Sequence, residues 1–269
     1  MKRGKIASII VLSTAFMMAL NACDNVDKDD RYIEIESVKT KRAVLLEEFT
    51  GQNCRNCPEG HEIVTQLKEQ YGDAFIPVSI HASQLSYSEE QLGPFGLGIS
   101  AGNEYWSTAG SPPLPSGVVD RISGAIDRDQ WATVIRTELE KESPAAIEIK
   151  SSFDTDGKIH ITTGILSTEN ITCNLTVWIT ENNIVGFQND HGTNVSDYKH
   201  NHVLRAVVTP VMGETIIISK GIPLSKSYTY DTVENNKSHW NPVNLNVVAF
   251  ISNDTNGVLQ AAESHIQVE

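Results

Sequence analysis

Residues 44–58, VLLEEFTGQNCRNCP, decide the fold of the first half of this chain. The stretch opens with a short aliphatic and β-branched run, residues 44–46, which is typical of a buried strand. Gly51 and Asn53 then predict a turn. Pro58 follows where a helix tolerates proline, because the missing N–H has no partner in the first turn. The stretch therefore predicts a strand, a turn and the start of a helix.

The predicted helix has one apolar face and a clear end. Its apolar residues recur at helical spacing: Ile63, Val64, Leu67 and Tyr71. Gly72 ends the pattern. Residues 75–82, FIPVSIHA, predict the next buried strand, which closes a strand–helix–strand unit with parallel strands.

Cys54 and Cys57 lie at the predicted helix N-terminus, with two residues between them. Free N–H groups and the positive end of the helix dipole stabilise an anion there, so the first thiol can ionise near neutral pH. Arg55 adds a positive charge that favours the thiolate further. The pattern predicts a Cys-x-x-Cys redox site in which Cys54 is the exposed nucleophile and Cys57 the resolving thiol.

With this arrangement the chain resembles the thioredoxin superfamily. Members of that superfamily carry a buried acid on the strand, six positions before the first cysteine, and Glu48 stands at that position. The resemblance implies that Glu48 takes and returns the proton of the resolving cysteine. It also implies a cis-proline facing the disulfide. Pro115, after Leu114, fits this position best, and Pro112 and Pro113 compete with it.

The same resemblance implies a substrate-binding site around the disulfide. Leu114 and Pro115 would position the substrate chain, with Arg55 and Asn56 beside it. Asn53 replaces the tryptophan that usually precedes the first cysteine, which affects substrate preference more than fold.

A Cys-x-x-Cys pair also occurs in inert disulfides, zinc sites and haem attachment sites. Zinc normally takes four protein ligands, and Cys23 and Cys173 are poorly placed to complete a set. A c-type haem signature requires histidine after the second cysteine, where this chain has Pro58. We therefore expect no metal and no cofactor. A redox-active pair and an inert disulfide both remain open.

The first 22 residues predict a lipoprotein signal peptide. A positive segment precedes an apolar run at residues 6–20, which is too short to span a membrane comfortably. Residues 20–23, LNAC, resemble a bacterial lipobox. The resemblance implies cleavage before Cys23 and acylation of that cysteine with chains such as palmitate, which would anchor the protein to a membrane. An ordinary secretory peptide with a chance cysteine is the alternative.

The chain is acidic. Its formal net charge is −13, and loss of three basic residues with the signal peptide lowers the charge to −16. Such a surface repels nucleic acid, which we exclude as a partner. Residues 23–31 are acidic and polar and predict an unfolded tether.

Residues 32–142 predict a thioredoxin-like domain. Residues 32–36 alternate like an edge strand. A glycine-rich insertion at residues 83–113 predicts one or two short helices beside the active site. A further strand and a helix, with Trp131 on the apolar face of the helix, complete the order that is typical of thioredoxin.

Residues 143–269 change to a pattern of period two. Candidate strands lie at residues 146–151, 158–166, 173–180, 202–209, 215–219, 227–232, 245–252 and 258–268. This number of short strands predicts an immunoglobulin-like β-sandwich. Cys173 is interpreted as a small buried hydrophobe. His200 and His202 are interpreted as loop-edge residues rather than metal ligands.

The whole layout resembles outer-membrane lipoproteins that have a thioredoxin-like domain followed by an all-β domain. The motifs that carry this resemblance are EEFTG at 47–51, PSGVVDR at 115–121 and HNHVLR at 200–205. The expected fold class is an α/β thioredoxin-like domain followed by an immunoglobulin-like sandwich. The expected location is the outer membrane.

Two functions remain open. One is a lipid-anchored thiol–disulfide oxidoreductase whose partners are protein thiols or disulfides of the cell envelope. The other is a non-catalytic surface binding protein, an adhesin or an envelope assembly factor, that uses the thioredoxin fold as a scaffold. In the first, Glu48 lies behind Cys57 with a raised pKa, while Glu47 points to the opposite face of the strand.

Overall fold

The computed structural model describes residues 40–269. The signal peptide at residues 1–22, the lipidation site at Cys23, the tether at residues 23–31 and the strand expected at residues 32–36 lie outside the described residues. The domain boundary expected after residue 142 stays a prediction.

Residues 40–269 contain four α-helices and seventeen strands. The helices are α1 (Cys57–Tyr71), α2 (Glu89–Leu92), α3 (Ser100–Thr108) and α4 (Arg128–Leu139). The strands up to α4 are β1 (Thr40–Lys41), β2 (Val44–Thr50), β3 (Phe75–His81), β4 (Ser116–Val119) and β5 (Ile126–Asp127). The strands after α4 are β6 (Glu142–Ser143), β7 (Ala145–Phe153), β8 (Lys158–Ser167), β9 (Ile171–Glu181), β10 (Ile184–Asp190), β11 (Thr193–His200), β12 (Val203–Val207), β13 (Glu214–Ile218), β14 (Leu224–Asp231), β15 (Leu245–Asn253), β16 (Gly257–His265) and β17 (Gln267–Val268).

Nine strands form a central mixed sheet. Eight of them lie in the order β5-β4-β2-β3-β12-β9-β15-β16, and β13 pairs with the first half of β9. β2, β3 and β12 run parallel, and the other neighbours run antiparallel. The predicted unit β2–α1–β3 is therefore present with parallel strands. β12 joins β3 directly, so strands from either side of residue 142 lie in one sheet.

A second sheet packs against the β9–β15 end of the central sheet. It has four strands in the order β14-β8-β7-β17. Alternate residues of the facing strands fill the space between the two sheets, among them Ile161 of β8, Val177 of β9 and Val247 of β15. Cys173 belongs to this core and is 4% exposed, which confirms its interpretation as a buried residue.

The two faces of β2 belong to different cores because successive side chains of a strand point to opposite faces. Val44 and Leu46 pack with Trp131 of α4 and with α1. Leu45 and Phe49 belong to the core on the other face, together with α3. All seven residues of β2 are buried, so both faces of the strand are shielded from water.

β10 and β11 form a hairpin that the sequence analysis does not predict. They pair antiparallel around His191 and Gly192, both of which have positive φ, as two-residue hairpin turns require. His200 is the last residue of β11 and is 2% exposed. The interpretation of His200 as a loop-edge residue is therefore wrong, because the hairpin brings its side chain into the interior.

Candidate active site

A disulfide joins Cys54 and Cys57 at the start of α1. Cys57 is the first residue of the helix, Asn56 precedes it, and Pro58 occupies the first turn. The strand, the turn and the helix start therefore occur where residues 44–58 predict them.

The expectation that Cys54 is exposed is wrong. Cys54 is 3% exposed and Cys57 is fully buried. The β10–β11 hairpin and the loop at Leu85 both pack against the turn that carries the disulfide. A protein substrate therefore meets a sulfur that the surrounding chain largely covers.

Backbone hydrogen bonds attach the hairpin to the disulfide loop. The N–H of Asn189 donates to the carbonyl oxygen of Gln52 at 2.7 Å, and the N–H of His191 donates to that of Arg55 at 2.9 Å. The Arg55 guanidinium returns a hydrogen bond to the carbonyl oxygen of His191 at 3.4 Å. Arg55 and Asn56 are both exposed, so the rim of the site remains accessible to solvent.

Gln188 of β10 makes the innermost contact of the hairpin. Its side chain is fully buried, and its amide nitrogen donates to the carbonyl oxygens of Gly51 and Cys54 at 3.3 Å and 3.0 Å. These carbonyl oxygens lie in the turn that carries the disulfide. The hairpin is therefore part of the immediate environment of the disulfide.

Glu48 lies beneath the first turn of α1. A Cβ added to Gly60 would lie 3.0 Å from Oε1 of Glu48 and 3.3 Å from Cβ of Pro115. The helix approaches β2 this closely because residue 60 has no side chain. Glu48 and Ser79 face each other in the parallel pairing of β2 with β3, and the Ser79 hydroxyl donates to Oε2 of Glu48 at 2.8 Å.

The environment of Glu48 favours its protonated form. Burial raises the pKa of Glu48 to about 7, although the hydrogen bond from Ser79 lowers it in part. Its Oε1 has no hydrogen-bond partner among residues 40–269. A carboxyl group that titrates near neutral pH can accept a proton and return it.

A cavity of about 120 Å³ lies beside Glu48, between α1, β3 and β11. Four histidines line it: His61 of α1, His81 of β3, His200 of β11, and His202, which follows β11. The ring centre of His200 lies 5.3 Å from that of His81 and 6.5 Å from that of His61. Within the described part of the chain, no group of three or more His, Cys, Asp and Glu side chains is arranged to hold a metal ion.

The cavity histidines are neutral at physiological pH. Burial, followed by the proximity of other basic groups, lowers the pKa of His61 and of His81. Burial lowers the pKa of His200 to about 4, although a hydrogen bond to the carbonyl oxygen of Phe187 raises it in part. Each imidazole therefore carries one N–H donor and one acceptor nitrogen.

The Leu114–Pro115 peptide bond is cis, which matches the proline that the sequence analysis favours over Pro112 and Pro113. Pro115 is buried against α1, and Leu114 is half-buried. Their role in substrate binding stays a prediction.

Three residues of the site are not indicated by the sequence patterns above: His61, His81 and Tyr198. His61 follows Cys57 by four residues on the same helix, and His81 follows Ser79 by two residues on the same face of β3. Both spacings place a polar group near Glu48 and could have indicated the cavity. Tyr198 depends on the fold of the hairpin, for which the sequence carries no comparable signal.

The fold and the site define a mixed α/β protein, mostly of strands, with a buried disulfide at a helix N-terminus beside a buried carboxyl group. The chain belongs to the Omp28 family: the model described as outer membrane protein Omp28 matches residues 99–269, more than half of the chain. The expected location in the outer membrane is confirmed by this family. The match begins after the disulfide, so it does not include Cys54 or Cys57.

Solved structures extend the comparison to the first half of the chain. HBP35 of Porphyromonas gingivalis aligns with a TM-score of 0.66 and 17% identity, over 84% of this chain and 76% of that chain. At this identity the similarity shows a shared fold.

Two other structures align with less of the molecule. A domain of the outer membrane lipoprotein Omp28 from Porphyromonas gingivalis has 20% identity and a TM-score of 0.34, over 47% of this chain and 91% of that domain. A GH3 beta-glucosidase from Bifidobacterium adolescentis has 9% identity and a TM-score of 0.24, over 46% of this chain and 17% of the enzyme. At these TM-scores the similarity implies nothing about function. The search of curated proteins finds no match.

Among residues 40–269, no helix combines the length and the apolar composition that a membrane span requires.

Proposed function

We propose that this protein is a thiol–disulfide oxidoreductase of the outer membrane that acts on protein thiols or disulfides of the cell envelope. The first half of the chain would be thioredoxin-like and the second half an immunoglobulin-like sandwich. A lipid on Cys23 would anchor the protein. The observation that carries the proposal is a fully buried carboxyl group, Glu48, beneath the helix turn that holds the disulfide.

The reaction conserves atoms and electrons. In the reduced protein, the Cys54 thiolate attacks a substrate disulfide, which forms a mixed disulfide and releases one substrate thiolate. The Cys57 thiol gives its proton to Glu48, and the resulting thiolate attacks the sulfur of Cys54. The second substrate thiolate leaves, the Cys54–Cys57 disulfide forms, and two electrons have passed to the substrate. The reverse sequence oxidises a substrate dithiol.

Three features of the site support these roles. The helix N-terminus stabilises a thiolate in the disulfide turn. The pKa of Glu48, about 7, suits a group that both accepts and returns a proton. Arg55, exposed beside the cysteines, adds positive charge to the rim on which a substrate thiolate arrives and leaves.

The test compares thiol–disulfide exchange in the wild type and in two matched variants. Glu48→Ala should slow the exchange step at Cys57 by roughly 10²-fold, the usual range for general acid–base help. Glu69→Ala, which removes an exposed carboxylate farther along α1, should leave the rate unchanged. Stopped-flow Trp fluorescence with insulin as the disulfide substrate gives the rates. Equal, small effects of the two substitutions would remove Glu48 from the reaction.

Burial of the disulfide favours a second candidate, a non-catalytic binding protein built on the same scaffold. Cys54 and Cys57 are both buried, and an inert disulfide needs no access. Reduction of the folded protein by dithiothreitol separates the two functions. An oxidoreductase should be reduced while it stays folded, whereas a scaffold disulfide should be reduced only as fast as the protein unfolds. Mixed disulfides trapped on Cys57→Ala would identify the partners of an oxidoreductase.

A further inference from the structure

Glu48 is shielded from bulk solvent and lines the small cavity described above. It is fully buried, and its Oε1 has no hydrogen-bond partner within the described residues. In the reaction proposed above, Glu48 takes the proton of Cys57 and must afterwards release it to water; in the reverse reaction Glu48 gives a proton and must regain one. The group that connects Glu48 to water therefore decides how fast the site returns to its starting state.

His61 lies between Glu48 and the surface. Its Nε2 is 3.8 Å from Oε1 of Glu48 and 2.9 Å from the hydroxyl oxygen of Thr50. Its Nδ1 is 2.7 Å from the hydroxyl oxygen of Tyr198. The side chain of His61 is 17% exposed. One nitrogen of this imidazole thus faces the carboxyl group, and the other faces the hairpin and the outside.

The cavity beside these groups is polar and reaches the surface. Its volume of about 120 Å³ has room for several water molecules. Exposed Glu62, Lys199 and Asn201 belong to its lining. Both ring nitrogens of His81 and the Nδ1 of His200 line it without a hydrogen-bond partner from residues 40–269. Such groups are satisfied by water, so the cavity suits a hydrated path.

We propose that His61 and Tyr198 form a proton relay between Glu48 and solvent. The inference rests on the proposed function for its purpose, because the relay, run in either direction, would return Glu48 to its starting protonation state after each exchange. Neither residue touches the sulfur atoms; both act through Glu48.

The relay moves one proton and leaves each side chain in its neutral form. The Glu48 carboxylate takes the proton from Nε2 of His61, either after a small side-chain rotation or through the Thr50 hydroxyl. Nδ1 of His61 takes the hydroxyl proton of Tyr198, and Tyr198 regains a proton from water. A neutral imidazole is suited to this step because it donates from one nitrogen and accepts at the other.

Titratable groups face this path from the elements around it. From α1 comes Glu62, from β3 His81, from β10 Asp190, from β11 Lys199 and His200, and His202 follows β11. Burial lowers the pKa of His81, of His200 and of His202, so these three are neutral near pH 7. Burial raises the pKa of Tyr198, which keeps its hydroxyl proton in place. His61 and Tyr198 are therefore both neutral near pH 7 when the relay begins.

Hydrogen–deuterium exchange of the Glu48 carboxyl proton tests the relay directly. At pH 5 Glu48 is protonated, and the carbonyl stretch that Glu48→Gln removes identifies its infrared band. After a jump into D₂O, the shift of this band reports how fast the proton leaves. His61→Phe should slow the shift by about tenfold or more, as expected for loss of a proton carrier. Tyr198→Phe, which removes only the hydroxyl group, should slow it less.

Two controls separate a relay from a structural role. His61→Gln keeps a side chain that forms hydrogen bonds but does not carry protons, so it should be as slow as His61→Phe. Loosened packing would have the opposite effect, because water would reach Glu48 faster. Tyr228→Phe removes the hydroxyl group of a β14 tyrosine that is not part of the cavity lining, and it should leave the rate unchanged.

The result that overturns the relay is a band shift that is equally fast, or faster, in both His61 variants. This measurement needs no substrate, so it stands apart from the proposed function. If Glu48→Ala leaves thiol–disulfide exchange unchanged while the His61 variants slow the band shift, the oxidoreductase proposal fails and the relay remains. If the reverse is observed, Glu48 acts in exchange and reaches solvent by another path.

Discussion

Glu47 and Glu48 are adjacent residues of β2, and the two faces of the strand give them different surroundings. Glu47 is 3% exposed and accepts two hydrogen bonds from the Arg121 guanidinium, at 2.7 Å and 2.8 Å. That guanidinium lies over the ring of Phe250, 4.8 Å from its centre. Glu48 is equally buried, and its hydrogen-bond donor is the neutral hydroxyl of Ser79.

The comparison shows that burial alone does not decide what a buried acid does. An arginine on one face makes Glu47 a fixed, charged part of the core. On the other face, burial without such a cation leaves the proton of Glu48 available near neutral pH. One strand therefore carries, side by side, an ion-paired acid and an acid whose pKa is about 7.

The largest effect is expected from removal of the structural acid. Glu47→Ala leaves Arg121 buried without its partner, and breaking a buried pair in this way costs about 3–5 kcal/mol of unfolding free energy. The double variant Glu47→Leu/Arg121→Met should recover most of this loss, because no buried charge remains. Urea unfolding measures both. A loss below about 1 kcal/mol in Glu47→Ala would mean that this ion pair contributes no more than an exposed pair, and Glu47 would then have no structural role.

The second prediction concerns the pH dependence that Glu48 imposes on stability. Its pKa is raised from 4.5 to about 7 on folding, so the folded state holds the proton more tightly. The protonated Glu48 carboxyl group therefore stabilises the folded wild type at low pH, and this contribution to the free energy of unfolding is lost as the pH rises from about 4.5 to about 7. At pH 8, Glu48→Gln should be more stable than the wild type by about 3 kcal/mol, since each pKa unit corresponds to 1.36 kcal/mol.

At pH 4 the same variant should match the wild type, because Glu48 is protonated in both the folded and the unfolded state. The cavity histidines have lowered pKa values, so they make both proteins less stable as pH falls below about 6.5. Because this contribution is the same in both proteins, it cancels in the difference between them. An advantage of Glu48→Gln that does not change between pH 4 and pH 8 would contradict the raised pKa.

Substitution of Gly60 measures how tightly the first turn of α1 packs on the side of β2 that carries Glu48. In Gly60→Ala the new methyl group meets Glu48, Pro115 and Trp131 at 3.0–3.4 Å. Crowding of this kind costs about 1–3 kcal/mol in a packed core. Gly124→Ala is the control, because a Cβ there meets no atom within 4 Å. Equal stability of the two variants in urea would mean that the first turn of α1 is loosely packed.

The smallest effect is expected from Gln188, a residue of the β10–β11 hairpin that contacts the disulfide loop. Gln188→Ala removes the side-chain hydrogen bonds to Gly51 and Cys54, each of which contributes about 0.5–1.5 kcal/mol. If the hairpin must open before the disulfide reacts, reduction by dithiothreitol should become roughly tenfold faster. Asn194→Ala, near the turn of the same hairpin, should change the rate little. Equal rates for Gln188→Ala and the wild type would show that reagents reach the sulfurs without opening of the hairpin.

Local sequence patterns predict the elements of the first half well. The run at residues 44–46, the glycine turn and Pro58 specify β2 and the start of α1, and alternation separates Glu47 from Glu48. These features depend on neighbours along the chain, and a single sequence displays them directly. The resemblance to thioredoxins favours Pro115 as the cis-proline, although Pro112 and Pro113 compete with it in the sequence alone.

Features that depend on distant pairing are not visible in the sequence. Burial of Cys54 requires the hydrogen bonds of Asn189 and His191 to a loop more than 130 residues earlier. Arg121 as the partner of Glu47 depends on how β4 aligns with β2. The hairpin at 184–200 is polar along much of its length, so neither alternation nor a familiar turn dipeptide indicates it.

The pairing of β12 with β3 limits how this protein can be divided for study. A fragment that ends at residue 142 loses β12 and leaves β3 as the edge of its sheet, with the N–H of Ser79 no longer bonded to the carbonyl oxygen of His202. A fragment that begins at residue 99, where the family match begins, leaves β12 with an equivalent open edge. Open apolar edges recruit strands from other molecules. Each fragment is therefore expected to aggregate or to form mixed oligomers, and the disulfide keeps its native surroundings only in a chain that contains both halves.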